Sequence, residues 1–182
     1  MRHVGEIFAL LIFSTVIVGA KPADHAQPAD RTGIPIGWRI PSSADLGSLA
    51  DQKWREADPS RYLALSDDFN GDGVPDIALL LIRDDGAAFA LFVGLAQKDG
   101  HHAYVKLDEF PNAKELASRG IKRVAPGDYP TACARGLDCA EDEPRYIHLK
   151  YEAIDFFTHD AANRYYYWNR LKHSFSQVDI ND

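Results

Sequence analysis

Ten residues, Asp67 to Asp76 in "DDFNGDGVPDIALL", hold four aspartates, an asparagine and two glycines, and an apolar run follows at once. So dense a cluster of carboxylates repels itself unless water or a cation compensates it. Three chemistries suit it: a solvated turn, a metal site, or a pair of catalytic carboxylates. Counted from Asp68, the stretch reads D-x-N-x-D-G-x-x-D. Asp68, Asn70, Asp72 and Asp76 then stand at the first, third, fifth and ninth places, and Val74 at the seventh offers its backbone carbonyl. Calcium takes about six to eight hard oxygens in a flexible cage, and alternate residues of a tight loop supply them. Gly73 at the sixth place permits the sharp turn. An EF-hand needs an acid at the twelfth place, which here is Leu79, inside the apolar run. The loop is therefore expected to join two strands rather than two helices. A glycosidase pair would sit on separate elements around a cleft, which acids crowded into one loop do not.

The stretch "DFNGDGVPDIALL" resembles the calcium loop of FG-GAP and VCBS-type repeats, as found in integrin α-subunit propellers. The likeness covers about residues 66–80 and occurs once in the chain. It implies one Ca2+ held by Asp68, Asn70, Asp72, Asp76 and the Val74 carbonyl. A propeller needs several blades, so the resemblance supports the loop and its ion, not that fold.

Other clusters carry weaker signals. Cys133 and Cys139 enclose "ARGLD". In an oxidising compartment they are expected to form a disulfide that stiffens one turn, since so short a ring removes little chain entropy. Glu141, Asp142 and Glu143 follow as an acidic cap, readable as a protruding partner-binding loop or as a plain surface connector. "RYYYWNR" places Tyr166 and Trp168 on one side of a strand and Tyr165 and Tyr167 on the other. It is either a strand packed on both faces or a surface in which Tyr166 and Trp168 anchor a partner. His101 and His102 are adjacent, lack a third ligand, and read as a solvated turn. No nucleophile elbow or phosphate-binding glycine loop is present in the sequence.

The elements that must position these residues are mostly strands. Expected strands cover 61–66, 77–83, 87–94 and 103–107, joined by Asp/Gly turns that suggest an antiparallel meander. Residues 121–124, 145–151, 154–159, 165–170 and 175–180 continue the pattern. Two short helices are expected. One covers 43–57, capped by Ser42 or Ser43; the other follows Asn112, with Glu115 at capping-box spacing and Gly120 as its stop. The fold class is thus α+β, mostly antiparallel β in a meander or sandwich, with one or two short helices.

Residues 1–20 have the pattern of a secretory signal peptide, with an apolar stretch from Ile7 to Val18 and, in Val18-Gly19-Ala20, small residues at the two positions a signal peptidase reads; an uncleaved membrane anchor is the other reading. Residues 21–37 read as a flexible tether and 38–182 as one domain. The expected location is periplasmic or secreted, with no membrane association after cleavage. The formal charge of the 182 residues is −7, and no basic stripe invites nucleic acid. Together these features point to a binding module for another macromolecule. A basic peptidoglycan hydrolase would suit an acidic inhibitor or immunity-type protein in that compartment. A periplasmic hydrolase with dispersed catalytic residues is the alternative.

Overall fold

The computed structural model describes Ala29, residues 33–48, 53–55, Asp58, 60–137 and 143–181. The stretch read as a signal peptide, Cys139, Glu141 and Asp142 lie outside the described residues. No described helix is long and apolar enough to cross a membrane.

The strands are β1 (Trp38–Arg39), β2 (Ala64–Asp67), β3 (Asp76–Arg83), β4 (Phe89–Ala96), β5 (His102–Phe110), β6 (Arg119–Val124), β7 (Gly127–Pro130), β8 (Tyr146–Leu149), β9 (Ala153–Thr158), β10 (Asn163–Asn169) and β11 (Ser174–Asn181). They form two antiparallel sheets and a two-stranded ribbon. In the first sheet β3 pairs with β4 and β4 with β5, while β1 and β2 share the other edge of β3. The second runs β11-β10-β9-β6, and the ribbon is β7-β8. The mostly antiparallel β expectation holds.

Alternation along the strands decides how the layers stack. Ala78, Leu80 and Ile82 of β3 and Phe89, Leu91 and Val93 of β4 face one way. They share a core with Ile121, Ile154, Phe156 and Tyr166 of the second sheet. The intervening Leu79, Leu81, Ala90 and Phe92 face the other way and are covered by Ile34 and Trp38. β3 and β4 are thus buried on both faces, which accounts for their unbroken apolar runs. The outer face of the second sheet, with Val178, Ile180, Tyr165 and Tyr167, is covered by Ile147, Leu149 and Tyr129 of the ribbon.

Three expectations are corrected. The helical segments are 3-10 turns rather than α-helices among the described residues: Ser43–Leu46, Lys53–Arg55, Ala113–Ser118 and Ala132–Arg135. Ser42 is the cap of the first, its N–H and hydroxyl both donating to Asp45 Oδ2, at 2.7 and 2.6 Å. Asn112 does cap the third, accepting from the Lys114 N–H at 3.3 Å. Gly120 does not end that segment, because Arg119 already begins β6 and Gly120 lies within it. A Cβ at Gly120 would come within 2.6 Å of the Phe157 ring and 2.9 Å of Tyr62 Cβ, so glycine serves close packing there. Finally, residues 33–37, expected in a tether, join the fold: Ile34 packs on the outer face of the first sheet, and Gly37 O accepts from the Asp84 N–H at 3.0 Å.

Candidate functional site

The acidic loop closes the β2–β3 hairpin, whose last pair is Asp67 opposite Asp76. Its side chains fold inwards onto its own backbone. Asp68 Oδ1 accepts from the N–H groups of Gly71 and Asp72 at 2.7 and 3.1 Å, and its Oδ2 accepts from Gly73 at 2.8 Å. Asn70 Oδ1 accepts from the Asp72 N–H at 2.9 Å, and Asp72 Oδ1 from the Val74 N–H at 2.8 Å. Gly71 and Gly73 have φ of 76° and 87°, the left-handed values that let the chain wind this tightly.

Asp76 is fully buried. Its Oδ2 accepts from the Phe69 N–H at 3.1 Å and its Oδ1 from the Ala96 N–H at 2.9 Å. Burial pushes its carboxyl up to about 6, against the pull of those two donors, and the negative charges of Asp72 and Asp68 push the same way. Asp67, by contrast, pairs with Arg123 at 2.8 Å. Among the described residues no Lys or Arg pairs with Asp68, Asp72 or Asp76.

The donor set is all oxygen, as calcium prefers. A carboxylate oxygen that accepts one N–H retains a second acceptor direction, so the backbone bonds do not exhaust the loop. Among the described residues, however, no three His, Cys, Asp or Glu side chains converge on one point as a formed metal cluster. Asp76 faces inwards and fastens the loop to β4, while Val74 stands half-exposed. The residues suit the ion in chemistry, with Asp68, Asn70, Asp72 and the Val74 carbonyl on the open side and Asp76 on the sheet side.

The loop is also held from outside. A Cβ at Gly71 would fall 2.1 Å from carbons of the Tyr151 ring. Tyr151 therefore lies directly on the loop backbone, a contact that joins residues eighty positions apart and leaves no trace in local sequence pattern.

The residues expected to meet a partner separate. Tyr166 is 2% exposed and donates its hydroxyl to Asp108 Oδ2 at 2.7 Å, so as a surface anchor it is corrected: it belongs to the core between the sheets. Its burial and the Asp108 carboxylate raise its phenol well above the usual range. Trp168 is half-buried against Phe175, with ring centroids 5.4 Å apart. Glu143 lines a groove of about 770 Å3 between β5 and β11, together with Lys106, Arg164, Tyr167 and Asp179. Arg164 binds Asp179 there through Nε and Nη2 at 2.6 and 3.2 Å. Cys133 is buried at the start of the 3-10 turn Ala132–Arg135. His101 lies exposed in the turn before β5.

Two features escaped the sequence. Asp155 is 2% exposed among Asn163 and Lys122, and burial raises its carboxyl. It lines neither the β5–β11 groove nor the hollow described below, and nor does Asp76. Arg55 is fully buried, its guanidinium donating to the carbonyls of Arg61, Leu116 and Arg119. Desolvation brings it down to about 10. Apolar periodicity signals neither, since both are polar residues buried by long-range packing.

Searches for relatives return nothing: no family model, no curated protein and no solved structure matches the chain.

Proposed function

We propose that this chain is an exported, calcium-stabilised binding module of the β class that engages a protein partner. The observation that carries the reading is the loop itself. Three carboxylates without a basic partner among the described residues are wound onto one hairpin loop, and one of them is fully buried. A divalent cation would offset that repulsion and bind the native state alone, adding stability that grows with the logarithm of one plus its concentration over its dissociation constant. The loop follows the FG-GAP and VCBS-type spacing in a single copy, set in two packed sheets.

The acidic balance of the chain and the run Glu141, Asp142 and Glu143 favour a basic protein. In an exported setting the target class is a basic peptidoglycan hydrolase, which the module would inhibit. The test is lytic activity of purified basic lysozymes and amidases titrated with the protein in calcium. Inhibition at near-equal stoichiometry is expected. It should weaken through slower association when Glu141, Asp142 and Glu143 become Gln, Asn and Gln. A panel left fully active at high excess removes the hydrolase target.

A further inference from the structure

The hairpin between β10 and β11 and the acidic loop enclose a second, open hollow of about 650 Å3, lined by Asn70, Tyr151, Trp168, Arg170, Leu171 and His173. Asn169 shapes the turn that carries Arg170 and Leu171: the Asn169 Oδ1 accepts from the N–H groups of Leu171 and Lys172 at 3.0 and 3.2 Å. This turn leaves Leu171 96% exposed and sends His173 through a φ of 49°.

Three properties of the lining specify a ligand. Trp168 and Tyr151 are both half-buried and line the hollow from different elements, Lys150 Nζ standing 5.4 Å from the Tyr151 ring centroid. Aromatic faces carry negative π-density and favour the C–H face of a flat, partly polar ring. Arg170 makes no hydrogen bond or ion pair among the described residues, although a loop with three carboxylates bounds the same hollow. A free guanidinium fork is the group best matched to a carboxylate. The Tyr151 hydroxyl, likewise without a hydrogen-bond partner among the described residues, adds a donor and acceptor. A shallow, open hollow with these groups suits a hydroxyl-rich ring that keeps one side in water, whereas an apolar ligand needs enclosure.

We propose that this hollow binds a carboxylated saccharide, the pyranose ring lying against Trp168 and Tyr151 and the carboxylate on Arg170. The site does not rest on the calcium reading, because only Asn70 is common to both. It is separate from the β5–β11 groove, which shares none of the six lining residues.

The test is isothermal titration calorimetry of the full chain with glucuronate, N-acetylmuramate and a galacturonate oligomer, with glucose as the neutral control, each in calcium and in EDTA. Binding of a carboxylated sugar at least about tenfold tighter than glucose, in either condition, is expected. Monomer binding marks a sugar-sized site, and binding by the oligomer alone marks one that reads a chain; both support the assignment. Arg170→Gln should reduce the affinity about tenfold or more with melting temperature unchanged, since Arg170 is exposed and makes no ion pair or hydrogen bond among the described residues. Tyr151→Phe, which keeps the ring, should cost less. Absence of binding to every carboxylated probe at about 10 mM in both conditions overturns the proposal. So does equal affinity for glucose and glucuronate, or Arg170→Gln binding as tightly as the native chain.

Discussion

Asp76 Oδ1 accepts the Ala96 backbone N–H at 2.9 Å while its Oδ2 accepts that of Phe69 at 3.1 Å. One buried carboxylate thus ties the acidic loop to the end of β4. Its carboxyl is raised to about 6 in the metal-free protein, from about 4 in an unfolded chain. A raised acid favours the folded state when protonated. Its contribution is therefore fully present below about pH 4 and is lost as pH rises through about 6. In EDTA, denaturant unfolding of the native chain relative to Asp76→Asn should show declining relative stability across that window. Parallel curves would mean that Asp76 titrates as an ordinary acid.

Gly71 and Gly73 separate two causes of strain. Both have positive φ, but only Gly71 faces a neighbour, the Tyr151 ring, while a Cβ at Gly73 meets open space. Gly73→Ala should cost about 1–2 kcal/mol from backbone strain alone. Gly71→Ala should cost about 1–3 kcal/mol more, because the ring must move. Tyr151→Ser should recover much of that excess in a double-mutant cycle. Equal costs at the two glycines would show that Tyr151 does not press on the loop.

Arg55 should be a stability residue. Its guanidinium satisfies three carbonyls at once, Arg61, Leu116 and Arg119, and joins the Lys53–Arg55 turn to Ala113–Ser118 and β6. Arg55→Ala should lose about 3–5 kcal/mol, from unpaired carbonyls and the cavity left behind. Arg55→Lys should recover only part, since one ammonium cannot span all three acceptors. A loss under about 1 kcal/mol for Arg55→Ala would show that water replaces it.

Much of the strand order was legible because β3 and β4 carry apolar residues on both faces and Asp/Gly turns separate them. The β10 alternation was legible too: Tyr166 and Trp168 pack inwards, Tyr165 and Tyr167 against the ribbon. Which of those faces would see solvent was not, because it depends on a second sheet and a ribbon distant in sequence. The 43–57 stretch has helical spacing, yet Gly47 ends the first turn at φ 79°, and only short 3-10 turns flank it among the described residues. Gly120 carries the signature of a helix stop, but its lack of a side chain serves the Phe157 and Tyr62 contacts instead. The loop's alternating acidic spacing is a local pattern and so could be read directly. Tyr151 over Gly71, and Arg170 across from Asn70, are products of folding alone.

Cys133 lies buried within the 3-10 turn Ala132–Arg135, at the start of the short segment to Cys139. We expect the two to be joined. Non-reduced, alkylated protein purified from an oxidising compartment should carry no label on either cysteine and lie 2 Da below the dithiol mass by the loss of two hydrogens, about what one S–S bond requires. Two labelled cysteines would contradict the pairing. Reduction should cost little stability, about 2 kcal/mol or less, because the ring is short.

The most direct measurement is calorimetric titration of calcium into EDTA-stripped, dialysed protein, paired with melting in EDTA and in millimolar calcium. A calcium loop formed by Asp68, Asn70, Asp72, Asp76 and the Val74 carbonyl requires one ion per chain. At about 100 times the dissociation constant the gain is about 2.7 kcal/mol, seen as a higher melting temperature. Both effects should vanish in Asp68→Ala and Asp72→Ala. No heat of binding together with identical melting curves would contradict the calcium site and leave the loop a solvated turn.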